Sequence, residues 1–261
     1  MGYTIISYIL QGGVLMKHLD VKIHYLYNSG FTVETKNHFA IFDYYKDSVD
    51  TCVKNISNGA IGEEDITIYK EKDILVFSSH SHADHFNPVV LNWANLRPDI
   101  QYIFSDDIKT NSNNKNINKI SAYEELNLKD VYIRSYGSTD MGVSFLVKLD
   151  GITIFHAGDL NWWYWRADTS AEIQKAEVWF KEEIQRIEGE NIDIAFFPVD
   201  PRLEQNYYVG GEYFIKELNP KYLIPMHFGQ NFEITKEFAN RVKGYETKVL
   251  EITHRGQELI I

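Results

Sequence analysis

The stretch SHSHADH, residues 79–85, is the most informative part of the sequence. It contains three histidines and an aspartate, and it directly follows Ile74–Ser78, an apolar run typical of a buried strand that ends in a polar loop. His80 and His82 are two residues apart, so in extended backbone their rings project to the same side and can hold one ion. The Asp–His pair that follows turns the other way and can serve a second ion. Imidazole and carboxylate are ligands that zinc prefers and that iron and manganese accept.

The pattern around this loop predicts a single α+β chain of strands with interspersed helices. Asn28-Ser29-Gly30 is a turn within a predicted meander, and Asp150-Gly151 is the strongest hairpin signal. The predicted strands are Val21–Tyr27, Phe31–Glu34, Phe39–Tyr44, Ile74–Ser78, Ile100–Phe104, Val131–Ser135, Val143–Leu149, Ile152–Phe155, Ile192–Phe197, Tyr222–Pro225, Lys248–Thr253 and Glu258–Ile261. The predicted helices are Pro88–Leu96, Ala171–Ile187, Glu212–Leu218 and Ile234–Val242.

The composition is that of an ordinary folded domain. Of the 261 residues 44% are hydrophobic and 24% are charged, and the formal net charge is −11. Such an acidic balance argues against a nucleic acid as the main partner, because a nucleic-acid binder normally carries a basic stripe. A small-molecule substrate is the expected partner, and the many aromatic residues leave self-association open.

Two features bear on compartment and domain organisation. The single cysteine, Cys52, excludes an intramolecular disulfide and is interpreted as an inert thiol, which favours the cytoplasm. The apolar segment before Met16 lacks the features of a signal peptide, a membrane span or a myristoylation site, so no membrane anchor is expected. We expect an N-terminal extension over residues 1–15 and one metallo-hydrolase domain over residues 16–261.

The histidine loop resembles the His-x-His-x-Asp-His signature of the metallo-β-lactamase superfamily. Further motifs of that family recur in order at predicted strand ends, across residues 20–261. They are Asp43, Gly158-Asp159 and Met226-His227. The resemblance implies a four-layer αββα sandwich, and the small stand-alone metal-dependent hydrolases, such as the L-ascorbate-6-phosphate lactonases, are the most similar branch.

The resemblance also implies roles for particular residues. Asp43 supports the histidine loop, Asp159 bridges two metals, and His227 is the last ligand. The second metal site then has Asp84, His85, Asp159 and His227, and the first keeps His80, His82 and the shared Asp159. The expected cofactor is one or two divalent ions, most simply zinc, with manganese or iron as alternatives.

One departure from the family pattern concerns the first metal site. The family usually places a third histidine before the hairpin, where this sequence has Ser138, Thr139 and Asp140. Three explanations remain open: one of these residues supplies an oxygen ligand or holds a ligating water, the enzyme is mononuclear, or hydrolysis has been lost.

Other residues are candidates for contacts around the metals or with substrate. His156 precedes Asp159 by three residues and can be a supporting partner, a substrate contact, a packed core histidine or a metal ligand. The aromatic run after Asp159 can form a pocket wall or pack against a helix or a second subunit. Its candidates are Trp163 and Trp165 for stacking and Arg166 for an anion. Arg202, after another strand, can bind a phosphate or carboxylate, or form a surface salt bridge.

The predicted function is a metal-dependent hydrolase. Two cations lower the pKa of a shared water to about 7, and the resulting hydroxide attacks a lactone or phosphoester. Asp84 is the expected catalytic residue, because it would position that hydroxide. The alternatives are a phosphodiesterase or nuclease, and a non-catalytic metal-binding homologue with an incomplete first site.

Overall fold

The structure, a computed structural model, describes residues 8–11, 14–17, 19–50 and 53–261. The thiol of Cys52 and part of the expected N-terminal extension lie outside the described residues. Strand β1 (Tyr8–Gln11) pairs antiparallel with β2 (Val14–Lys17), which crosses the expected boundary between residues 15 and 16.

The first large sheet has seven strands. They are β3 (Lys22–Tyr27), β4 (Gly30–Glu34), β5 (His38–Phe42), β6 (Asp73–Ser78), β7 (Gln101–Ser105), β8 (Ile117–Ile120) and β16 (Glu258–Ile260). Their order is β16-β3-β4-β5-β6-β7-β8. The strands from β16 to β5 pair antiparallel, as the predicted meander requires, and those from β5 to β8 pair parallel.

The second large sheet also has seven strands. They are β9 (Glu125–Leu128), β10 (Val131–Tyr136), β11 (Ser144–Leu149), β12 (Ile152–His156), β13 (Ile194–Pro198), β14 (Tyr222–Met226) and β15 (Lys248–Val249). They follow in chain order across the sheet, with antiparallel pairing from β9 to β12 and parallel pairing from β12 to β15. The hairpin predicted at Asp150-Gly151 joins β11 to β12, and both residues have positive φ.

The main core lies between the two sheets. On β5, Ala40 and Phe42 belong to this inter-sheet core, whereas Phe39 and Ile41 belong to a second cluster on the outer face of the first sheet. Side chains alternate across a strand, so a strand buried on both faces reads as a continuous apolar run. This is why the apolar runs of the sequence marked the central strands.

Helices cover the outer faces. Helix α2 (Ser170–Ile187) begins at a capping box of Thr169 with Glu172, and it contributes Phe180 and Ile184 to the core beside the second sheet. Helix α3 (Val209–Leu218) packs on the same sheet, and helix α4 (Glu233–Arg241) buries Phe238.

Fewer and shorter helices cover the outer face of the first sheet. The short helix α1 (Glu63–Thr67) and a 3-10 helix over Pro88–Asn95 place Ile66, Val90 and Trp93 against it. Two mixed seven-stranded sheets with helices on their outer faces form the expected four-layer α+β sandwich.

One predicted helix and one predicted strand differ from the structure. The helix at Pro88 is a 3-10 helix, although Asn87 caps it as expected by accepting a bond from the Val89 amide at 3.0 Å. The strand predicted over Lys248–Thr253 ends at Val249, because beyond that point it leaves the edge of the sheet.

Among the described helices, none combines the length and apolarity needed to cross a bilayer.

Candidate metal centre

The strand ends bring the predicted metal ligands together at one edge of the sandwich. The histidine loop follows β6, Asp159 follows β12, and His227 follows β14. The donor atoms form two groups, each with its atoms within 4.8 Å of one another. The groups are His80, His82 and Asp159, and Asp84, His85 and His227. All six predicted ligands therefore meet in space, although they come from both sheets.

Asp159 lies between the two groups. Its Oδ2 is 3.4 Å from His80 Nε2, and its Oδ1 is 3.2 Å from His85 Nε2 and 3.3 Å from His227 Nε2. Asp84 faces the second group, with Oδ2 3.6 Å from His85 Nε2 and 3.7 Å from His227 Nε2. One carboxylate thus presents an oxygen to each half of the cluster, which is the arrangement that a bridging ligand needs.

Asp43 accepts hydrogen bonds from the histidine loop and fixes its conformation. Its buried carboxylate accepts bonds from the Ser79 amide and the Ser79 hydroxyl, each at 2.7 Å, and from His85 Nδ1 at 2.8 Å. Ser79 Oγ in turn lies 3.0 Å from His80 Nδ1. With Nδ1 donating in both histidines, both Nε2 lone pairs point into the cluster. Burial opposes charge on Asp43, but the surrounding histidines hold its pKa below the usual range.

His227 is held by a carboxylate and by a turn. Its Nδ1 lies 2.9 Å from Asp200 Oδ2, and Arg202 donates to the same carboxylate from Nε at 2.9 Å. The backbone of His227 has φ 64°, a region that non-glycine residues rarely adopt. Its amide donates to the carbonyl of Asn28 at 3.1 Å, and the Asn28 side chain donates to Asp84 Oδ2 at 3.2 Å. One turn of the first sheet therefore positions two members of the cluster.

The donor atoms fit a divalent cation. His85 Nε2, His227 Nε2 and Asp159 Oδ1 are buried and make no hydrogen bond to any described residue. Since each of these histidines bonds a carboxylate through Nδ1, its neutral form presents an Nε2 lone pair to the cluster, and a cation would satisfy these lone pairs and the carboxylate oxygen together. Burial opposes charge on His85, but the carboxylates of Asp159 and Asp43 outweigh it and raise the pKa of His85 to about 10, so a metal that binds at Nε2 would displace a proton. The histidines in turn hold the pKa of Asp159 well below its usual range, against the effect of burial.

In the group of His80, His82 and Asp159, the partly exposed member is His82. His82 Nδ1 lies 3.0 Å from His80 Nε2 and 3.9 Å from Asp140 Oδ2, and about half of the Asp140 side chain is exposed. Thr139 donates to the carbonyl of Asn161 at 2.6 Å, so its hydroxyl ties two loops together. Ser138 Oγ accepts from the amide of Asp140 at 3.2 Å. Of the three residues at the missing histidine, Asp140 is therefore the one that approaches a histidine of the cluster.

His156 is a packed core residue in this structure. Its Nε2 lies 2.9 Å from the carbonyl of Ser29, its Nδ1 accepts from the amide of Gly158 at 3.2 Å, and its ring stacks on Phe42. Burial lowers its pKa, which favours the neutral ring. Both ring nitrogens are thus engaged, which leaves no lone pair for a metal.

Part of the aromatic run after Asp159 packs in the core, and part lies beside the cluster of candidate ligands. Trp162 packs against Phe180 of α2, whereas Trp163 and Trp165 stack on each other beside the cluster. Arg166 lies on the surface, 73% exposed and paired with Glu204 at 3.0 Å. The structure therefore gives Arg166 a salt bridge and no contact with the cleft.

Two glycines allow the loops to approach the histidines closely. A Cβ on Gly142 would lie 2.1 Å from the carbonyl oxygen of Ser79 and 2.5 Å from His80 Cβ. A Cβ on Gly158 would lie 2.8 Å from Ser79 Cβ, and both glycines have positive φ. Larger side chains at either position would push the histidine loop out of place.

A family model decides the classification. The model of the beta-lactamase superfamily domain matches residues 22–227. The chain belongs to that superfamily. Among curated proteins no relative matches the sequence.

Several solved structures share the fold. Igni18, a metallo hydrolase from the archaeon Ignicoccus hospitalis, is 19% identical, with a TM-score of 0.62 over 92% of this chain and 98% of its own. The metallo-beta-lactamase fold protein YhfI from Bacillus subtilis is 14% identical, with a TM-score of 0.57 over 92% and 99%. A diphosphatase from the PhnP family is 10% identical, with a TM-score of 0.52 over 92% and 98%. At these identities the likeness shows a common fold, and it does not transfer a substrate.

Two residues that matter at the site were not singled out from the sequence. Asn28 was given no role at the metals, and Asp200 was placed at the same edge as Arg202 without a role of its own. Asp200 does follow a buried strand, as Asp43 and Asp159 do, and that position was an available signal. Nothing in the local sequence of Asn28 indicates its contact with Asp84, because the two residues are 56 positions apart.

Proposed function

We propose that the protein is a metal-dependent hydrolase acting on a small-molecule phosphoester or lactone, with zinc as the expected metal. The position of Asp159, with one oxygen toward each group of donors, is the observation that carries this proposal. The fold supports it as well, since a diphosphatase is among the structures that share it. The acidic net charge of −11 disfavours a nuclease.

The residues divide into ligands and supports. His80, His82 and Asp159 would hold one ion, and Asp84, His85, Asp159 and His227 the other. Bound divalent ions lower the pKa of water and polarise the electrophile.

Asp84 has a second role besides binding. Its side chain is 46% exposed, and Asn28 donates a hydrogen bond to its Oδ2. The carboxylate can therefore accept a hydrogen bond from the attacking water and hold it in line with the substrate. The buried carboxylates of Asp43 and Asp200 keep the imidazoles oriented during turnover.

The decisive experiment combines metal content with turnover. Protein purified without an affinity tag or chelator is analysed for bound metal and assayed with p-nitrophenyl phosphate, bis(p-nitrophenyl) phosphate and a simple lactone. We expect two equivalents of metal and hydrolysis of at least one probe. One equivalent would support a mononuclear enzyme, and none after reconstitution would overturn the proposal.

A matched pair of variants tests the bridging residue. Asp159→Ala removes a ligand from both groups, so we expect metal affinity to fall by more than the roughly 10–100-fold typical of outer partners, with loss of turnover. Asp99→Asn is the control, because Asp99 is exposed and pairs with Arg97 before β7, away from the cluster. If Asp159→Ala keeps both metals, the two-metal arrangement is wrong.

A further inference from the structure

A cleft of about 390 Å³ opens beside the metal centre. Its walls are Thr139, Asp140, Asp159, Trp163, Trp165 and Arg202. Asp159 is the residue that faces both groups of metal donors, so a molecule in this cleft touches the edge of the reactive centre. The volume lies in the range of sites for small organic ligands.

One wall of the cleft is a flat aromatic surface. The rings of Trp163 and Trp165 stack with centroids 5.7 Å apart and planes 5° from parallel. Trp163 is fixed because its Nε1 donates to the carbonyl of Asp159 at 3.1 Å and its ring meets His227 edge-on. Trp165 lies on the outer side of this pair and remains partly exposed. The partly exposed indole of Trp165, backed by the fixed ring of Trp163, is suited to contact with a planar ring.

A cation lies next to that aromatic surface. The guanidinium carbon of Arg202 is 5.7 Å from the Trp165 ring centroid. Asp200 binds its Nε, while Nη1 makes no hydrogen bond to any residue that the structure describes. The side chain is 62% exposed, so this edge of the guanidinium can reach an anion. Arg166, by contrast, is paired with Glu204 and does not line the cleft.

From this juxtaposition we infer that the substrate is a small anion carrying a planar ring, with the ring stacked on Trp165 and the anionic group contacted by Arg202. This inference rests on the proposed function for the reaction itself, and it adds only how the substrate is recognised. Both recognition elements line the cleft, Trp165 from the segment after β12 and Arg202 from the segment after β13.

The test uses non-hydrolysable probes on the metal-loaded protein. Binding of phenylphosphonate, methylphosphonate and benzyl alcohol is measured by calorimetry, so that no turnover is needed. We expect phenylphosphonate to bind most tightly, about five- to tenfold better than methylphosphonate, as a stacking contact provides. Equal affinities for the two phosphonates would overturn the ring assignment.

Variants separate the ring from the anion. Trp165→Ala should remove the advantage of phenylphosphonate, while Trp179→Ala, at an exposed tryptophan on α2, should keep it. Arg202→Gln should weaken both phosphonates about tenfold, with Arg202→Lys partly restoring them and Arg166→Gln leaving them unchanged. Metal content is measured for each variant, because Arg202 also contacts Asp200.

The outcomes distinguish this inference from the proposed function. If Trp165→Ala or Arg202→Gln binds both phosphonates like the parent with full metal content, the recognition inference fails while the hydrolase proposal stands. If the parent protein holds no metal, the hydrolase proposal fails, and the binding of phenylphosphonate still tests the cleft.

Discussion

The two halves of the metal centre differ in how their ligands are supported. In one half, which we call the braced half, His85 and His227 each bond a buried carboxylate and Asp84 bonds Asn28. In the other, which we call the open half, the His82 side chain is 44% exposed and the polar groups beside its ring are the His80 ring and the half-exposed Asp140. Preformed ligands lose little freedom on binding, so the braced half should hold its metal more tightly.

The largest effect on metal content is expected from a backbone substitution that displaces His80 in the open half. Gly142→Ala would place a Cβ 2.1 Å from the Ser79 carbonyl oxygen and push His80 away, so we expect one equivalent of metal to be lost. Gly151→Ala is the matched control, because Gly151 has φ +76° against +74° and no atom within 4 Å. Both variants should lose about 1 kcal/mol of stability for the positive φ. Loss of metal in both would contradict the steric explanation.

A smaller effect is expected from weakening the braced half. Asp200→Asn keeps the packing but weakens the acceptor for His227 Nδ1, so affinity for the tighter metal should fall about 10–100-fold. Asp140→Asn should change either affinity by less than about fivefold, because exposed carboxylates contribute little. Zinc titration calorimetry on both variants checks this. A loss in Asp140→Asn equal to that in Asp200→Asn would make Asp140 a ligand of the open half.

The smallest expected effect concerns the support of Asp84. Asn28→Gly removes the amide that holds Asp84 Oδ2 while preserving the positive φ of 53° at this turn. Metal content should stay at its parental value, and turnover should fall about three- to tenfold as the carboxylate gains freedom. Asn113→Gly, at an exposed loop residue, is the control. Unchanged turnover in Asn28→Gly would mean that the metals alone orient Asp84.

Most of the fold could be predicted from the sequence because the central strands appear as local apolar patterns, and the same patterns placed the candidate ligands at strand ends that the structure brings together. Continuous apolar runs predicted the central strands, and the carboxyl end of each parallel strand placed Asp43, Asp159 and His227 at one edge. The supports were harder to predict, since they depend on register between distant strands. The contact of Asn28 with Asp84 and the opposite directions of Arg166 and Arg202 appear only when the loops are folded.

The candidate ligands come from both sheets, and this determines when the site can form during synthesis. The first sheet supplies the histidine loop, the second supplies Asp159 and His227, and neither sheet alone completes either half. A growing chain therefore lacks the complete pair of groups until residue 227 has been made and both sheets have docked. A metal bound there would connect the two sheets, so the assembled sandwich, and not the nascent histidine loop, would select the ion.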